Sequence, residues 1–415
     1  MNIKNLRREI NVALTELKED NNISKSKLSQ PYRLNYFKIL GLSRNELIHS
    51  RFIAFLLNPD RRYKFKDTFL NMFIALLRDK HKAIIEDPFP CKSVRTEKGL
   101  GKNRGRVDIF IKNNNSNKDI IIENKIDALD QNEQLERYHN QNKDATLVYL
   151  TLNGRKASRR SEGTLTKDNY IKLSYKEDIS EWIEMCIDHL QKIKHDKLIF
   201  LLTEYLAVIN ELTKEIAKKE KLLPILSKDK ETVENVFKIH DEVYYKRSDD
   251  NTNKEIFKLI NPLKAYIIKT KFCSDDNNES FLHKLCNEID HDLKWKINED
   301  IGIMKKWWGF QFYKEEWEKV NVMIRFQFER KLLESCIYGL SKCDPKKPFV
   351  FDFKDKSEKG SWLYRRNMSK YFDWHRCVFF ELMENNIEST SFFKELKDII
   401  KLMIDKIDNE IIIKH

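Results

Sequence analysis

Several signatures are missing from this 415-residue sequence, and each absence removes a class of function. The seven cysteines (Cys91, Cys186, Cys273, Cys286, Cys336, Cys343 and Cys377) are scattered, and no two form a C-x-x-C pair. That excludes a zinc ribbon and a dithiol redox motif, and the odd count with irregular spacing suits a reducing compartment. No run approaches the ~18 uncharged apolar residues that a membrane-crossing helix needs. The N-terminus, MNIKNLRREI, carries charges every few residues and lacks the apolar segment of a signal peptide, so the expected location is the cytoplasm and no membrane partner is expected. Gly99-Leu100-Gly101-Lys102 lacks the G-x4-G-K-[ST] spacing of a phosphate-binding loop, and neither a G-x-S-x-G elbow nor zinc-ligand spacing occurs.

What is present points to a folded, basic protein. Hydrophobic residues make up 41% and aromatics 11%, enough for buried cores, and the length predicts about two domains. The formal net charge of +12 favours polyanions, nucleic acid first and an acidic membrane surface second. The abundance of Lys, Ile and Asn inflates the basic count, so charge alone is a mild argument.

Hydrophobic periodicity predicts an amphipathic helix over 2–20, a second over 44–57 with Ser43 as its N-cap, and a third over 67–80. Strands follow at 92–97, 107–112 and 119–125, then a helix at 132–141, strands at 146–152 and 170–174, and a helix around Trp182. This order describes an α/β unit with a mixed sheet. A long helical stretch over 190–221 should stop at Pro224, which places a domain boundary between 1–222 and 223–415. The second part holds six of the seven tryptophans and reads as α+β, with helices within 231–270, 278–290 and 390–413 and strands at 310–313 and 320–328.

The third strand carries the chemistry. Ile120, Ile121 and Ile122 form a buried run that Glu123-Asn124-Lys125 breaks. Alternate side chains of a strand share a face, so Glu123 and Lys125 point the same way. Asp108 is a carboxylate set into the preceding apolar strand, and a hairpin across 113–117 brings it beside Glu123. Two carboxylates at neighbouring strand ends make a hard-oxygen site for Mg²⁺ or Mn²⁺, and a lysine next to them can hold a phosphate oxygen or orient a water. The bland alternative is a solvated strand end with a simple Glu–Lys pair.

At these residues the chain resembles the PD-(D/E)XK nuclease superfamily. Asp108 matches the acidic strand residue and Glu123-Asn124-Lys125 matches E-x-K, whereas the superfamily's proline is absent and Val107 stands in its place. The resemblance extends to the bacterial stand-alone branch through Asn35-Tyr36-Phe37, Glu46-Leu47-Ile48-His49-Ser50, Leu56-Leu57-Asn58-Pro59, Gly105-Arg106-Val107-Asp108-Ile109, Ile126, Asp130-Gln131 and Gln134-Leu135-x-x-Tyr138, over residues 35–185. It implies a restriction-endonuclease-like mixed sheet flanked by helices, followed by a second α+β domain for targeting or regulation. It also implies an Mg²⁺-dependent endonuclease that hydrolyses DNA in preference to RNA, in bacterial anti-phage defence. Asp108 and Glu123 would hold the metal, the main-chain carbonyl of Asn124 would add a ligand, and Lys125 would act at the scissile phosphate. Glu46 is either a third metal carboxylate or the acidic member of a Ser43-x-x-Glu46 capping box. His49 either faces the same cleft or is structural, and Glu97 is a further acidic candidate. Gln134 and Tyr138, four apart on one helix face, either support the site or form an ordinary polar face.

Two basic loops either grip phosphates or are simply solvated: Lys98, Lys102, Arg104 and Arg106 before Asp108, and Arg155, Lys156, Arg159 and Arg160 after the fourth strand. In the second part, Trp307 to Phe312 and Arg325 to Glu329 are aromatic-rich, which reads as core packing before base stacking. Trp362 to Arg366 and Trp374 to Arg376 form a candidate recognition surface for a protein partner or a second copy of the chain. The alternative to a nuclease is a catalytically silent sensor that keeps the fold and binds nucleic acid or a partner.

Overall fold

The structure is a computed structural model. It describes residues 1–23, 35–59, 67–99, 105–127, 130–131, 133–166, 168–246, 250–274, 280–297, 308–344, 347 and 361–409, with side chains omitted at 18–23, 159–160 and 246. The chain divides into two compact units, Leu17–Lys218 and a second one formed by Met1–Glu16 with Lys219–His415.

In chain order, helices α1 (Ile3–Ile23), α2 (Tyr36–Ile39), α3 (Glu46–Leu57) and α4 (Thr68–His81) precede strands β1 (Cys91–Gly99), β2 (Arg106–Asn113) and β3 (Ile120–Lys125). Then come α5 (Gln134–Gln141), β4 (Thr146–Thr151), α6 (Arg159–Glu162), β5 (Ile171–Ser174), α7 (Ser180–Lys192) and α8 (Asp196–Leu226). The strands form a mixed sheet in the order β1-β2-β3-β4-β5, antiparallel through β3 and parallel from β3 to β5. The expected mixed sheet flanked by helices is what the chain adopts.

Alternation sorts the sheet into two faces. Ile109, Ile111, Ile120, Ile122, Val148 and Leu150 face one core with apolar residues of α3, α4, α7 and α8. Phe110, Ile121, Leu147 and Tyr149 face the other with Leu135 and Tyr138 of α5. The β2–β3 hairpin closes as its polar sequence predicts. Asn113 Oδ1 accepts the N–H groups of Asn115 and Ser116 at 2.7 and 3.0 Å, and Asp119 Oδ1 accepts the N–H of Asn113 at 2.9 Å. That turn sets the register Ile109↔Ile122, so the next pair along is Asp108 and Glu123.

Three details depart from expectation. Asn45, not Ser43, caps α3: its side chain accepts the N–H of Ile48 at 3.2 Å. Helix α8 continues through Pro224 to Leu226, because Leu222, Leu223 and Leu226 all enter the second core and the proline breaks only one bond near the helix end. The start of α1 was expected with the nuclease unit, but its Leu6, Ile10 and Ala13 join the second core. There the Met1 ammonium also meets Asp229 and Glu231, at 3.3 and 2.8 Å.

The second unit continues with α9 (Lys230–Lys246), α10 (Asn251–Ile267), α11 (Phe281–Ile289), β6 (Lys294–Ile297), β7 (Gly309–Tyr313), α12 (Glu315–Lys319), β8 (Met323–Phe328), β9 (Cys336–Ser341), β10 (Trp362–Asn367), α13 (Arg376–Leu382) and α14 (Ser391–Ile407). Its sheet is an antiparallel meander, β10-β9-β8-β7-β6. The aromatics serve this core: Phe310, Phe312, Phe326, Phe328, Trp308, Trp317 and Trp374 are all buried, while Trp307 lies outside the described residues. In the candidate recognition surface at 362–366 and 374–376 the aromatics turn inward, while Arg366, His375 and Arg376 are exposed. Trp362, Leu363, Tyr364 and Trp374 are buried, Arg365 pairs with Glu329 at 3.1 Å, and Arg376 pairs with Asp241.

Candidate active site

The edge of the β2–β3 ladder is where the polar residues gather. Beyond Ile109↔Ile122 the backbone pairing ends, and Asp108 takes over: its Oδ2 accepts the backbone N–H of Asn124 at 2.7 Å. A side chain therefore satisfies a strand donor that would otherwise be left without its ladder partner. Glu123 is 1% exposed and Lys125 6% exposed, and Lys125 Nζ lies 2.6 Å from Glu123 Oε1. Both arise from the same face of β3, as alternation requires.

Helix α5 completes this face. Gln134 Nε2 donates to Glu123 Oε1 at 2.6 Å and to the Tyr138 hydroxyl oxygen at 3.1 Å, and Tyr138 donates its own proton to the Arg106 carbonyl at 2.6 Å. Gln134 and Tyr138 thus tie Glu123 to the start of β2. Glu46, first residue of α3, turns its Oε1 to the N–H groups of Ile126 and Asp127 at 2.7 and 3.0 Å. It caps the end of β3 rather than its own helix.

These contacts set the electrostatics. Burial, and then the neighbouring Asp108, push the Glu123 carboxyl up to about 8, against the pull of Lys125. Burial pushes Asp108 up to about 6, opposed by the Asn124 N–H and by Lys125 and reinforced by Glu46 and Glu97. Burial opposes the charge of Lys125, but Glu123, Asp108 and Glu46 outweigh it and raise its pKa. Fully ionised, three carboxylates against one ammonium leave two excess negative charges.

A divalent cation would balance that excess. Among the described residues, no three His, Cys, Asp or Glu side chains close a metal cage by themselves. Mg²⁺ does not need one, because it characteristically takes one or two carboxylates and keeps several waters. The donor set fits on one further observation: Glu123 Oε2 is buried and, among the described residues, has no hydrogen-bond partner. Such an orphaned acceptor beside a second carboxylate is chemically matched to a hard cation.

The other expected residues divide. His49 is fully buried, with Nδ1 2.9 Å from the Tyr205 hydroxyl and Nε2 2.9 Å from the Ser43 carbonyl, so its ring is structural and burial lowers its pKa. Glu97 sits in β1 with a left-handed φ of 51°, 3.7 Å from the Arg106 guanidinium. Lys98 covers the Phe110 ring, 3.2 Å from its centroid. Arg106 is exposed, and Arg155 lies 3.6 Å from Asp130 and over the Tyr149 ring. Lys156 is exposed. Lys102 and Arg104 lie outside the described residues, as do the side chains of Arg159 and Arg160.

Sequence reasoning missed two buried sets. One surrounds the Asn124 carboxamide, with Ser50 and Tyr175. The other is Asp130, which accepts from the Tyr149 hydroxyl and, at 2.7 Å, from the Ser158 N–H. Ser50, Asn124 and Asp130 stand among the motif residues, but nothing in the sequence points to their partners Tyr175, Tyr149 and Ser158.

Comparison with known proteins covers one segment of the chain. Residues 34–207 match the family model described as the PD-(D/E)XK nuclease superfamily. No curated protein and no solved structure matches the chain. Over its segment 34–207, less than half of its 415 residues, the chain is similar to the PD-(D/E)XK nuclease superfamily.

Proposed function

We propose that this protein is an Mg²⁺- or Mn²⁺-dependent endonuclease that cuts DNA in preference to RNA. The observation that carries the reading is Oε2 of buried Glu123, which has no hydrogen-bond partner among the described residues and is set beside Asp108 and Lys125. Asp108 and Glu123 would hold the metal, joined by Glu46 and the main-chain carbonyl of Asn124. The bound ion supplies positive charge to the scissile phosphate and lowers the pKa of the attacking water. Lys125, held charged by the carboxylates around it, places its ammonium where a phosphate oxygen or the water can take a hydrogen bond. Gln134 and Tyr138 keep the Glu123 carboxylate aimed by fixing its Oε1 from the side. Arg106, Arg155 and Lys156, with Lys102, Arg104, Arg159 and Arg160, would contact the backbone phosphates.

The preference for DNA and a role in anti-phage defence rest on the superfamily's usual substrate and on resemblance to its stand-alone bacterial branch. The second unit would choose or regulate the target, through a protein partner or a second copy of the chain. The test incubates plasmid DNA and RNA with the protein and Mg²⁺ or Mn²⁺, alongside Asp108→Ala and Lys125→Ala. Cleavage by the wild type alone is expected. Intact substrates in every lane would favour a catalytically silent nucleic-acid-binding sensor.

A further inference from the structure

Asn124 stands between Glu123 and Lys125, is fully buried, and has both ends of its carboxamide engaged. Its Nδ2 donates to Ser50 Oγ at 3.0 Å and to the main-chain carbonyl of Glu46 at 3.2 Å, while its Oδ1 accepts from the Tyr175 hydroxyl at 3.0 Å. A carbonyl can only accept, so the Glu46 contact fixes which end of the carboxamide faces α3. The main chain of the same residue is the donor to Asp108 Oδ2. Just beyond it, the N–H groups of Ile126 and Asp127 hold Glu46 Oε1.

The position is one where an apolar residue would be expected. Ile120 and Ile122, on the same face of β3, pack into the apolar core. A polar residue there is tolerated only because each of its groups is paired. Tyr175 is itself set in a buried polar chain: it meets Tyr205, which lies 2.9 Å from His49 Nδ1, and His49 is anchored on the Ser43 carbonyl. The His49 and Tyr175 rings also pack edge to face, with centroids 5.6 Å apart.

We propose that Asn124 is a positioning residue: its carboxamide, gripped by Ser50 and Tyr175, sets α3 against β3 and thereby places the Glu46 carboxylate where it can join Asp108 and Glu123 around a divalent cation. This inference rests on the metal site of the proposed nuclease and assigns the side chain a role separate from that of its main-chain carbonyl. It also explains His49 and Ser50 without giving either a part in the chemistry.

The experiment is a calorimetric titration of the full-length protein with Mn²⁺, with thermal unfolding of each variant as the control for folding. Ser50→Ala and Tyr175→Phe touch neither the carboxylates nor Lys125, and each should weaken Mn²⁺ binding about tenfold, as loss of a group orienting a ligand does. Glu46→Gln should weaken it as well. Combined with Glu46→Gln, the same two changes should add little, because nothing is left to position. Unchanged Mn²⁺ affinity in both single variants, or fully additive losses in the double variants, overturns the inference. A wild-type protein that binds no Mn²⁺ overturns the metal reading and the inference with it. One that binds Mn²⁺ but cuts no nucleic acid overturns the nuclease reading, and the cycle still decides the role of Asn124.

Discussion

Lys125 Nζ lies 2.6 Å from Glu123 Oε1, and both side chains are buried. A buried pair of this kind is stable only while both members remain. In Lys125→Met the shape is roughly kept and the charge is lost. Glu123 can then remain protonated, so the fold should survive, while the cation proposed to meet the phosphate is gone. Cleavage should fall about 10²- to 10³-fold, the usual loss when a group aimed at transition-state charge is removed. The check is the rate under saturating Mg²⁺ together with the melting temperature. A variant that melts like wild type and cuts at the wild-type rate would remove Lys125 from the chemistry.

The raised carboxyls make a prediction about pH. In the unfolded chain Asp108 and Glu123 titrate near their ordinary values of 3.8 and 4.5, and in the folded, metal-free protein near about 6 and about 8. A raised folded value means the fold holds these protons more tightly. The resulting stabilisation is complete below the unfolded values and is lost as pH rises through the folded ones. In chelator, the melting temperature should therefore decline between about pH 4 and about pH 8, as far as these two groups govern it. A divalent cation competes with those protons, so the upward shift it causes should be larger at the alkaline end. A metal-induced shift that is the same at both ends, or larger at the acidic end, would contradict the placement of the ion between Asp108 and Glu123.

The outline of the first unit could be read from the chain because its signals are local. The Ile120–Ile122 run, the Asn113–Asn117 turn and the 3.6-residue periodicity of α3 and α4 each act within a few residues. Alternation alone put Glu123 and Lys125 on one face. What could not be read were the long-range bonds. Nothing near Glu46 announces that its carboxylate will cap β3, some 80 residues on, and nothing near Asn124 announces Ser50 or Tyr175. The same limit explains the start of α1. Its apolar stripe was visible, but its partners Leu222 and Val236 lie over 200 residues away. In the second unit, β9 and β10 escaped notice because Cys336–Ser341 is buried throughout and Trp362–Asn367 combines a buried half with an exposed one, so neither alternates cleanly.

Tyr138 both accepts from Gln134 and donates to the Arg106 carbonyl, the latter at 2.6 Å. Tyr138→Phe removes both bonds without opening a large cavity and leaves the part-buried Arg106 carbonyl without this donor. Unfolding should become easier by about 1–3 kcal/mol, the cost of an unsatisfied buried group. Activity should drop with it, because Gln134 loses one of the two contacts that aim it at Glu123. Denaturant unfolding and cleavage rates measured together would show this. Lost stability at full activity would make Tyr138 a fold residue only.

Two glycines of the second sheet are fixed by close approach. A Cβ on Gly309 would lie 1.9 Å from the Phe326 carbonyl oxygen, and one on Gly339 2.0 Å from that of Tyr364. In both cases the obstacle is the backbone of a neighbouring strand, which cannot move aside without breaking the ladder. Gly309→Ala and Gly339→Ala should each lower the melting temperature by several degrees, from a cost of about 1–3 kcal/mol. Wild-type melting in either variant would show that the strands sit further apart than described.

Arg155 offers a way to tell a phosphate contact from a structural pair. Its guanidinium is 3.6 Å from Asp130 and its side chain is about two-fifths exposed. Asp130 does not depend on it, because the Tyr149 hydroxyl and the Ser158 N–H already hold that carboxylate. With those donors in place, the arginine can leave the carboxylate and turn to a nucleic acid strand. A contact with one phosphate releases about one counterion. In an inactive Asp108→Ala background, Arg155→Ala should weaken duplex binding alike across unrelated sequences. It should also flatten the plot of log affinity against log salt by about one. Unchanged binding with a lowered melting temperature would return Arg155 to a structural role, and a loss confined to one sequence would make it a reader of bases.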